Sequence, residues 1–248
     1  MAGQLTFIYG KHALFEALTS VPHVVERVFV VPPFNDGRLN ELIKRAGISL
    51  TKVQANTLPR GIDPTVVHQN VIAEISVKKL MCQFDHFIEE LMVTSSTALV
   101  LLGEIEDPQN VGAIIRSAAA LGAAGILISE HHQAQISGAV IKVSAGMAFK
   151  IPLIAISNIN HTLRELKDKG FWIYGLSETA EMSLASERFD RPSVFVLGNE
   201  SEGIRQKTLE TCDILLKIPI SSHADSLNVA TAAAITLYAW STQHPQVL

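Results

Sequence analysis

The chain has 248 residues, of which 48% are hydrophobic, 18% charged and 6% aromatic, and its formal net charge is −4. This composition is typical of a compact globular protein and excludes disordered and fibrous classes. The longest uncharged apolar stretch, residues 118–128, is much shorter than the roughly 20 residues of a membrane-spanning helix. The N-terminal residues carry no signal-peptide pattern, so we expect a cytoplasmic protein that does not associate with membranes.

Charge and cysteine content further limit the classes of protein to which this sequence can belong. Cys82 and Cys212 stand far apart, and neither lies in a CxxC or histidine pattern, so we predict no disulfide framework and no metal site. Residues 1–80 carry nine Lys or Arg against six Asp or Glu, whereas residues 97–248 carry eleven against fifteen. The mildly basic N-terminal part is compatible with contact to a nucleic acid.

The first part of the chain alternates helical and strand patterns, which indicates a small α/β domain over residues 1–77. Residues 78–96 mix charged and polar residues and end in TSST, and we predict a linker here with one amphipathic helix around residues 84–92. For the first domain, the patterns predict helices over 12–19 and 39–46 and strands over 27–31, 49–53 and 71–77.

From residue 97 to residue 248, strand, loop and helix patterns follow one another repeatedly. The strands are continuous apolar runs such as ALVLLGEI, IPLIAI and VFVLG, which are typical of a parallel sheet covered on both faces. Helices are predicted between them, over 110–121, 161–169 and 226–241. We therefore predict two α/β domains, the second built on a parallel sheet.

Three loops at strand ends carry the polar residues expected of a site. In DPQNVGAIIRSA (residues 107–118), the cation of Arg116 projects beside Gly112 on the face opposite an apolar stripe, or else Asn110 caps the helix and Arg116 is solvated. GNESEG (198–203) places glycines where an open α/β sheet binds ligands, with an exposed acidic turn as the alternative. IPISSHADSLNVATAAAI (218–235) leads into an alanine-rich helix that Ser226 could cap.

Other chemistries lack their motifs. The sequence contains neither the GxGxxG pattern of nicotinamide binding nor the GxxxxGK[ST] loop of nucleoside-triphosphate binding. His223 and Asp225 stand close to Ser226, but a hydrolase triad requires convergent geometry rather than proximity in sequence, and no GxSxG elbow is present.

In this order and spacing, DPQNVGAIIRSA, LGNESEG and IPISSHADSLNVATAAAI resemble the three motifs of the SpoU/TrmH family of RNA ribose methyltransferases. Near the N-terminus, IYGKHALFEAL (8–18) and VHQNVIAEI (67–75) are similar to the substrate-binding domain of one branch. That branch methylates the 2′-hydroxyl of a guanosine in 23S ribosomal RNA.

The resemblance implies a parallel α/β sheet whose C-terminal segment forms a deep trefoil knot. It also implies S-adenosylmethionine as the cofactor, ribosomal RNA as the substrate, and a homodimer whose active site is completed across the interface. By motif position, the implied catalytic residues are Asn110, Arg116, Glu200, Ser226 and Asn228. The implied cofactor pocket is built from backbone near Leu176, Leu197, Gly198, Ile218 and Leu227.

The residue types agree with this chemistry. A sulfonium methyl group is already activated and needs no metal, but a ribose hydroxyl with a pKa of about 12 costs roughly 7 kcal/mol to deprotonate at pH 7. We hypothesise that Arg116 binds the hydroxyl and a neighbouring phosphate and stabilises the developing alkoxide, oriented by Glu200, Ser226 and Asn228. In the first domain, the cations available for RNA contact or for plain solvation are Lys11, His12, Arg27, Arg38, Lys44 and Arg45.

Three other functions compete with this prediction. The same chemistry could act on transfer RNA, although a separate docking domain favours ribosomal RNA. A noncatalytic RNA-binding protein could keep the knot without turnover, but the complete set of motif residues disfavours it. A nicotinamide enzyme on a doubly wound sheet would need the glycine fingerprint that this sequence lacks.

Overall fold

The computed structural model describes residues 5–54, 58–59, 61–62 and 66–248. Some residues of the predicted first domain, namely 1–4, 55–57, 60 and 63–65, lie outside this set. The elements in chain order are β1 (Leu5–Tyr9), α1 (Lys11–Ser20), β2 (Val25–Val30), α2 (Gly37–Arg45), β3 (Ser49–Lys52), β4 (Val71–Ser76), α3 (Val77–Leu80), β5 (Met81–Gln83), α4 (Phe84–Glu90), β6 (Ala98–Leu102), α5 (Pro108–Ala120), β7 (Gly125–Ser129), α6 (Gly138–Val143), β8 (Leu153–Ile156), α7 (Ile159–Asp168), β9 (Trp172–Leu176), β10 (Met182–Ser183), β11 (Ser193–Leu197), α8 (Gln206–Leu209), β12 (Ile214–Lys217) and α9 (Val229–Ser241).

The chain divides into two compact units. The first comprises Met1–Met81 and Ile136–Lys150, and the second comprises Cys82–Gln135 and Ile151–Leu248. The segment Ile136–Lys150, which includes α6, therefore groups with the N-terminal unit, although its place in the sequence had put it within the predicted second domain.

The first unit is built on a four-stranded sheet in the order β1-β4-β2-β3. β4 is antiparallel to both of its neighbours, while β3 runs parallel to β2. The two helices and three strands predicted for this region are confirmed to within two residues at each end. The edge strand β1 was not predicted, because its five residues show no clear alternation of exposed and buried side chains and owe their conformation to pairing with β4.

The second unit is built on an eight-stranded sheet in the order β10-β12-β9-β11-β6-β7-β8-β5, with parallel pairing at every junction from β10 to β8. Every residue of β6, β7 and β11 is buried, which confirms the predicted parallel sheet covered on both faces. On one face, Leu99 and Leu101 pack in one cluster with Leu163 of α7. On the other, the Phe195 ring meets Trp240 of α9 with centroids 6.5 Å apart.

The segment predicted as a linker is largely packed rather than free. β5 joins the large sheet, and the predicted amphipathic helix is present as α4, which ends at Glu90. Ile88 of α4 belongs to the core cluster, and Phe84 and Phe87 pack against it. Burial of this apolar face stabilises the helix against the sheet, so residues 82–91 form part of the second unit's structure.

Two helix starts differ from the predictions and bear on the site. α5 begins at Pro108, with Asp107 as its N-cap, instead of at residue 110. α9 begins at Val229 with Asn228 as its N-cap, so neither Asn110 nor Ser226 has the capping role considered for it. Of the described residues, no helix combines the length and the apolar character needed to cross a membrane.

Candidate active site

The carboxylate of Glu200 is the centre of a network that joins the three sequence motifs. Glu200 lies in the turn after β11, and its side chain reaches the loop between β6 and α5. There Oε2 accepts a hydrogen bond from the Glu106 N–H at 3.2 Å, and Oε1 accepts one from the Asp107 N–H at 3.1 Å. Backbone groups just before a helix start have no intrahelical partners, so an anion is well placed to bind them.

Asn110 connects Glu200 to the third motif. Its Nδ2 donates to Glu200 Oε1 at 2.9 Å, and its Oδ1 accepts a hydrogen bond from Asn228 Nδ2 at 2.9 Å. Asn228 Oδ1 accepts from the N–H groups of Ala230 and Thr231 at the start of α9. The backbone donors thus fix the orientation of Asn228, and Asn228 together with the carboxylate fixes the orientation of Asn110.

The environment keeps Glu200 ionised. Partial burial raises the pKa of its carboxyl, but the hydrogen bonds from the Asn110 amide and from backbone N–H groups, including those of Asp107 and Glu106, outweigh this, and the net pKa lies below its usual value. A carboxylate that accepts several hydrogen bonds is stabilised in its charged form. At neutral pH, Glu200 therefore acts as an acceptor that holds Asn110 and the loop before α5 in place.

The turn after β11 requires glycine. A Cβ on Gly198 would stand 2.2 Å from the Gly203 carbonyl carbon and 2.3 Å from the Ile204 nitrogen, because the chain folds back onto itself there. Asn199 and Gly203 close the turn through two backbone hydrogen bonds of 2.9 and 3.0 Å. Asn199 Oδ1 also accepts from the Ser201 and Glu202 N–H groups, an Asx turn that presents Glu200 toward its partners.

The loop after β6 is held from several directions. The Gly103 N–H donates to the Leu197 carbonyl at 2.7 Å, and Asn199 Nδ2 donates to the Glu104 carbonyl at 2.8 Å. The Gln133 side chain donates to the Ile105 carbonyl and accepts from its N–H. The donors that bind Glu200 are therefore fixed by contacts from β11 and from the segment after β7.

Arg116 and Ser226 stand outside this network. Arg116 is exposed on α5, and Ser226 is exposed before α9. Within the described part of the chain, neither side chain has a hydrogen bond or an ion pair to any of the other predicted catalytic residues. The structure thus brings together Asn110, Glu200 and Asn228, while the guanidinium of Arg116 remains available to a group from outside the chain.

Four of the five predicted cofactor residues lie at strand ends of the large sheet, and the fifth, Leu227, lies just before α9. Leu176 ends β9, Leu197 ends β11, and Ile218 follows β12. These three strands are neighbours and run parallel, so their carboxyl ends meet at one edge. Leu176, Ile218 and Leu227 are half-buried, whereas Leu197 is fully buried and takes part through its backbone.

Burial raises the pKa of the Cys212 thiol to about 12, and its Sγ donates to the Thr208 carbonyl at 3.3 Å, so this thiol is a packing group. Among the described residues, no group of His, Cys, Asp or Glu is arranged to hold a metal ion.

The basic residues predicted to contact RNA are spread over the first unit. Lys11 forms an ion pair with Asp36 at 3.2 Å, and Arg27 pairs with Glu74 at 3.8 Å. The Arg38 guanidinium lies 4.1 Å from the centre of the Phe15 ring. His12 stands 4.0 Å from Glu16, and Lys44 and Arg45 are exposed at the end of α2.

Sequence reasoning missed several residues that shape the site. Asp107 caps α5, and the pair Asp107-Pro108 is a recognisable helix start, since proline favours the first helical position. Asn199 was treated only as part of a glycine-rich turn, although Asn commonly forms Asx turns. Gln133 carried no local signal, because its partner Ile105 lies 28 residues away.

Comparison with known families covers nearly the whole chain. The sequence profile described as the SpoU rRNA Methylase family matches residues 97–238. A second profile, described as RNA 2′-O ribose methyltransferase substrate binding, matches residues 7–81. Together the two matches include the three motifs and the N-terminal sequences that carried the resemblance.

Curated relatives and solved structures agree with these matches. The chain is 35% identical over 243 residues to the 23S rRNA (guanosine-2′-O-)-methyltransferase RlmB of Xanthomonas axonopodis pv. citri, with 96% of each chain covered. It is 32% identical to RlmB of Nitrosomonas europaea, covering 97% of this chain and 92% of that one. The fold is similar to the AdoMet complex of the SpoU methyltransferase AviRb from Streptomyces viridochromogenes, with a TM-score of 0.81, 21% identity, and coverage of 96% of this chain and 90% of that one.

Proposed function

The chain belongs to the SpoU rRNA methylase family, and from this premise we propose that it transfers a methyl group from S-adenosylmethionine to the 2′-hydroxyl of a guanosine in 23S ribosomal RNA. The observation that carries this proposal is the similarity to the RlmB enzymes, which extends over both units and nearly the full length of both chains. We place the enzyme in the cytoplasm, where ribosomal RNA is assembled into particles.

The residues at the predicted cofactor pocket fit the proposed methyl donor. Half-buried Leu176, Ile218 and Leu227 offer apolar contacts to an adenine ring and a methionine chain. The turn at Gly198 brings backbone close to the same edge without side-chain obstruction. When bound, S-adenosylmethionine supplies an activated methyl group, so the chain's own residues have to orient the ribose hydroxyl and assist loss of its proton.

We assign these tasks by position. Arg116, an exposed cation with no anionic partner in the described chain, would bind the hydroxyl oxygen and the adjacent phosphate and stabilise the alkoxide as it forms. Asn110, Glu200 and Asn228 would fix the loop that receives the nucleotide, since their hydrogen bonds join all three motifs. Ser226, exposed before α9, would donate to or accept from the substrate.

We propose that the enzyme works as a homodimer and that a second copy covers the outer face of α9. This helix is apolar on both sides: Leu237 and Trp240 are buried in the unit, while Ile235 and Tyr238 are exposed at 37% and 63%. α5, which carries Arg116, packs against α9. A second copy at this face would complete the site, which agrees with the lack of a partner for Arg116 among the residues that the structure describes.

We also propose that the C-terminal segment forms a trefoil knot. The strand order supports this, because β12 lies between β9 and β10, and the chain then returns to pack α9 against α5. Ordinary connections avoid such threading, so a crystal structure whose chain could be pulled straight from its two ends would contradict the knot.

The function is tested by mapping ribose methylation. We expect 23S ribosomal RNA from cells that lack the gene to lose a single 2′-O-methylguanosine, and the purified protein with S-adenosylmethionine to restore it on an in vitro transcript. Mass spectrometry of nuclease fragments locates the modified nucleotide. Methylation of transfer RNA in place of 23S ribosomal RNA would show that the enzyme acts on transfer RNA. Tight cofactor binding without methyl transfer would indicate a noncatalytic RNA-binding protein.

Arg116→Lys tests the role of the guanidinium. Lysine keeps the charge but cannot form paired hydrogen bonds to a phosphate or hydroxyl, so we expect kcat to fall at least about a hundredfold. Binding of S-adenosylmethionine, measured by calorimetry, should stay unchanged. Nearly full methylation by Arg116→Lys would contradict the proposed role, and Gln109→Ala, an exposed change on the same helix, serves as the control.

A further inference from the structure

The second unit has a groove between α7 and α8 that contains none of the ten predicted site residues. It has a volume of about 580 Å³ and is lined by Asn160, Arg164, Lys167, Lys207, Glu210 and Thr211. A second cavity of about 460 Å³ shares Asn160 and Lys207 and extends to Ser129, Glu104 and Arg205. We refer to the two cavities, which share Asn160 and Lys207 as lining residues, as the α7–α8 groove.

The α7–α8 groove is positively charged within an acidic part of the chain. Its lining includes four cations, Arg164, Lys167, Arg205 and Lys207, against the two carboxylates of Glu104 and Glu210. Residues 97–248 as a whole carry eleven Lys or Arg against fifteen Asp or Glu. The concentration of positive charge in one concave region therefore opposes the overall charge and favours a polyanionic ligand.

The cations of the groove differ in how they are held. Lys167 pairs with Asp213 at 2.8 Å, and Asp213 also accepts a hydrogen bond from the Ile173 N–H. Arg205 pairs with Glu104 at 2.7 Å. Arg164 and Lys207 are exposed and have no ion pair within the described part of the chain. Lys167 and Arg205 are thus held in ion pairs within the chain, whereas Arg164 and Lys207 are available to an incoming anion.

The start of α7 adds further positive electrostatic potential to the α7–α8 groove. Asn158 is the N-cap of this ten-residue helix, and Asn158, Ile159 and Asn160 line the groove. The N–H groups of a first helical turn carry partial positive charge. The Thr211 hydroxyl donates to Asn160 Oδ1 at 3.5 Å, and both residues line the groove.

One end of the groove adjoins the candidate active site. Glu104, which pairs with Arg205, lies in the loop whose Glu106 and Asp107 N–H groups bind Glu200. Arg205 follows the Gly203 end of the turn that carries Glu200. A strand lying in the groove would therefore reach the loop that holds the catalytic network.

We propose that the α7–α8 groove binds the phosphate backbone of the RNA strand next to the target nucleotide. This inference rests on the proposed function. Cations spread along two adjoining cavities match a chain of phosphates better than a single phosphate group, and such contacts fix the position of a strand without reading its sequence. Base recognition is left to other parts of the protein.

The test compares two double variants that each remove two positive charges. Arg164→Ala with Lys207→Ala alters the groove, while Lys169→Ala with Arg188→Ala removes exposed cations of the same unit that do not line it. For each protein we would measure binding to a 23S ribosomal RNA transcript at several salt concentrations, steady-state methylation of that transcript, and calorimetric binding of S-adenosylmethionine.

Affinity falls as salt rises, and we expect the groove variant to make the slope of log affinity against log salt less negative by about 1.4, since each phosphate contact to a single strand contributes about −0.7. Its KM for RNA should rise at least about fivefold with kcat within about twofold, because the lost contacts bind substrate and transition state equally. The control variant should match the native protein, and cofactor affinity should be unchanged in both.

Equal salt slopes and KM values for the groove and control variants would overturn the inference while leaving methylation by the native protein intact. If the native protein binds the transcript without methylating it and the groove variant still weakens binding, the proposed function fails and the groove assignment stands. Absence of any RNA binding by the native protein would overturn both.

Discussion

At the scale of single residues, the site depends on an asparagine that donates and accepts at once. The Asn110 side-chain amide donates a hydrogen bond to the Glu200 carboxylate, and its oxygen accepts one from the Asn228 amide. Aspartate could not donate to a carboxylate, and serine would be too short to span both partners. Since Asn110 is only 8% exposed, loss of either contact would leave a polar group with little access to water.

Asn110→Ala should therefore affect both stability and activity. We expect the free energy of unfolding to fall by about 1–3 kcal/mol, because Glu200 and Asn228 lose a partner. Methyl transfer should fall further than cofactor affinity, since the loop before α5 is released. Urea unfolding and methylation assays measure the two effects, with Gln109→Ala as the neighbouring control; an Asn110→Ala protein as active as the native one would rule out this positioning role.

Glu200 makes part of the stability dependent on pH. Its pKa in the folded protein lies below the ordinary value of 4.5, so its contribution is present above that value and is lost as the pH falls through the folded pKa. Because Glu200 is exposed, we expect Glu200→Gln to reduce stability by at most about 1 kcal/mol at pH 7. Urea titrations from pH 7 down to pH 3 should show the difference shrinking, and a difference that widened in acid would contradict the assigned direction.

At the scale of elements, the site is made where parallel strands end and the chain must turn sharply. The carboxyl ends of β6 and β11 are neighbours, and Gly103 donates to the Leu197 carbonyl across them. The turn after β11 then doubles back so closely that only glycine fits at residue 198. The loop before α5 and this turn are thereby locked together, which presents Glu200 to the backbone donors at residues 106 and 107.

Gly198→Ala tests whether this close approach is required. The added Cβ would meet backbone atoms rather than a flexible side chain, so the turn has to move, and we expect a loss of at least about 2 kcal/mol in stability. Cofactor binding and methyl transfer should be strongly reduced. Gly37→Ala is the matched control, because its Cβ would meet nothing within 4 Å; equal calorimetric cofactor affinity in Gly198→Ala and Gly37→Ala would contradict this account.

At the scale of the whole molecule, the outer face of α9 is the surface on which the proposed dimer depends. Ile235 and Tyr238 lie one helical turn apart and expose apolar surface, while the other apolar side chains of this helix are buried or half-buried. Exposed apolar side chains on a common helix face are typical of a protein interface. The proposed dimer would cover them and would supply Arg116 with a neighbouring chain.

Charges placed on this face should separate the copies. We expect the double variant Ile235→Glu with Tyr238→Glu to sediment as a monomer and to lose methyl transfer while keeping its fold by circular dichroism, because buried unpaired carboxylates oppose association. Met92→Glu, at a side chain that is 85% exposed in the same unit, is the control. A monomeric native protein, or a double variant that stays dimeric and active, would refute the proposed interface.

The sequence by itself determined the buried parallel strands, most helices, and the three motifs that carry Asn110, Arg116, Glu200 and Asn228. Continuous apolar runs and glycine-rich turns are local patterns, and local patterns can be read from a sequence. Only the tertiary structure decided that Asn228 caps α9 while bonding to Asn110, 118 residues away, and that the segment Ile136–Lys150 packs with the first unit. These contacts join distant parts of the chain, and their geometry is set by sheet order and packing, which no local pattern specifies.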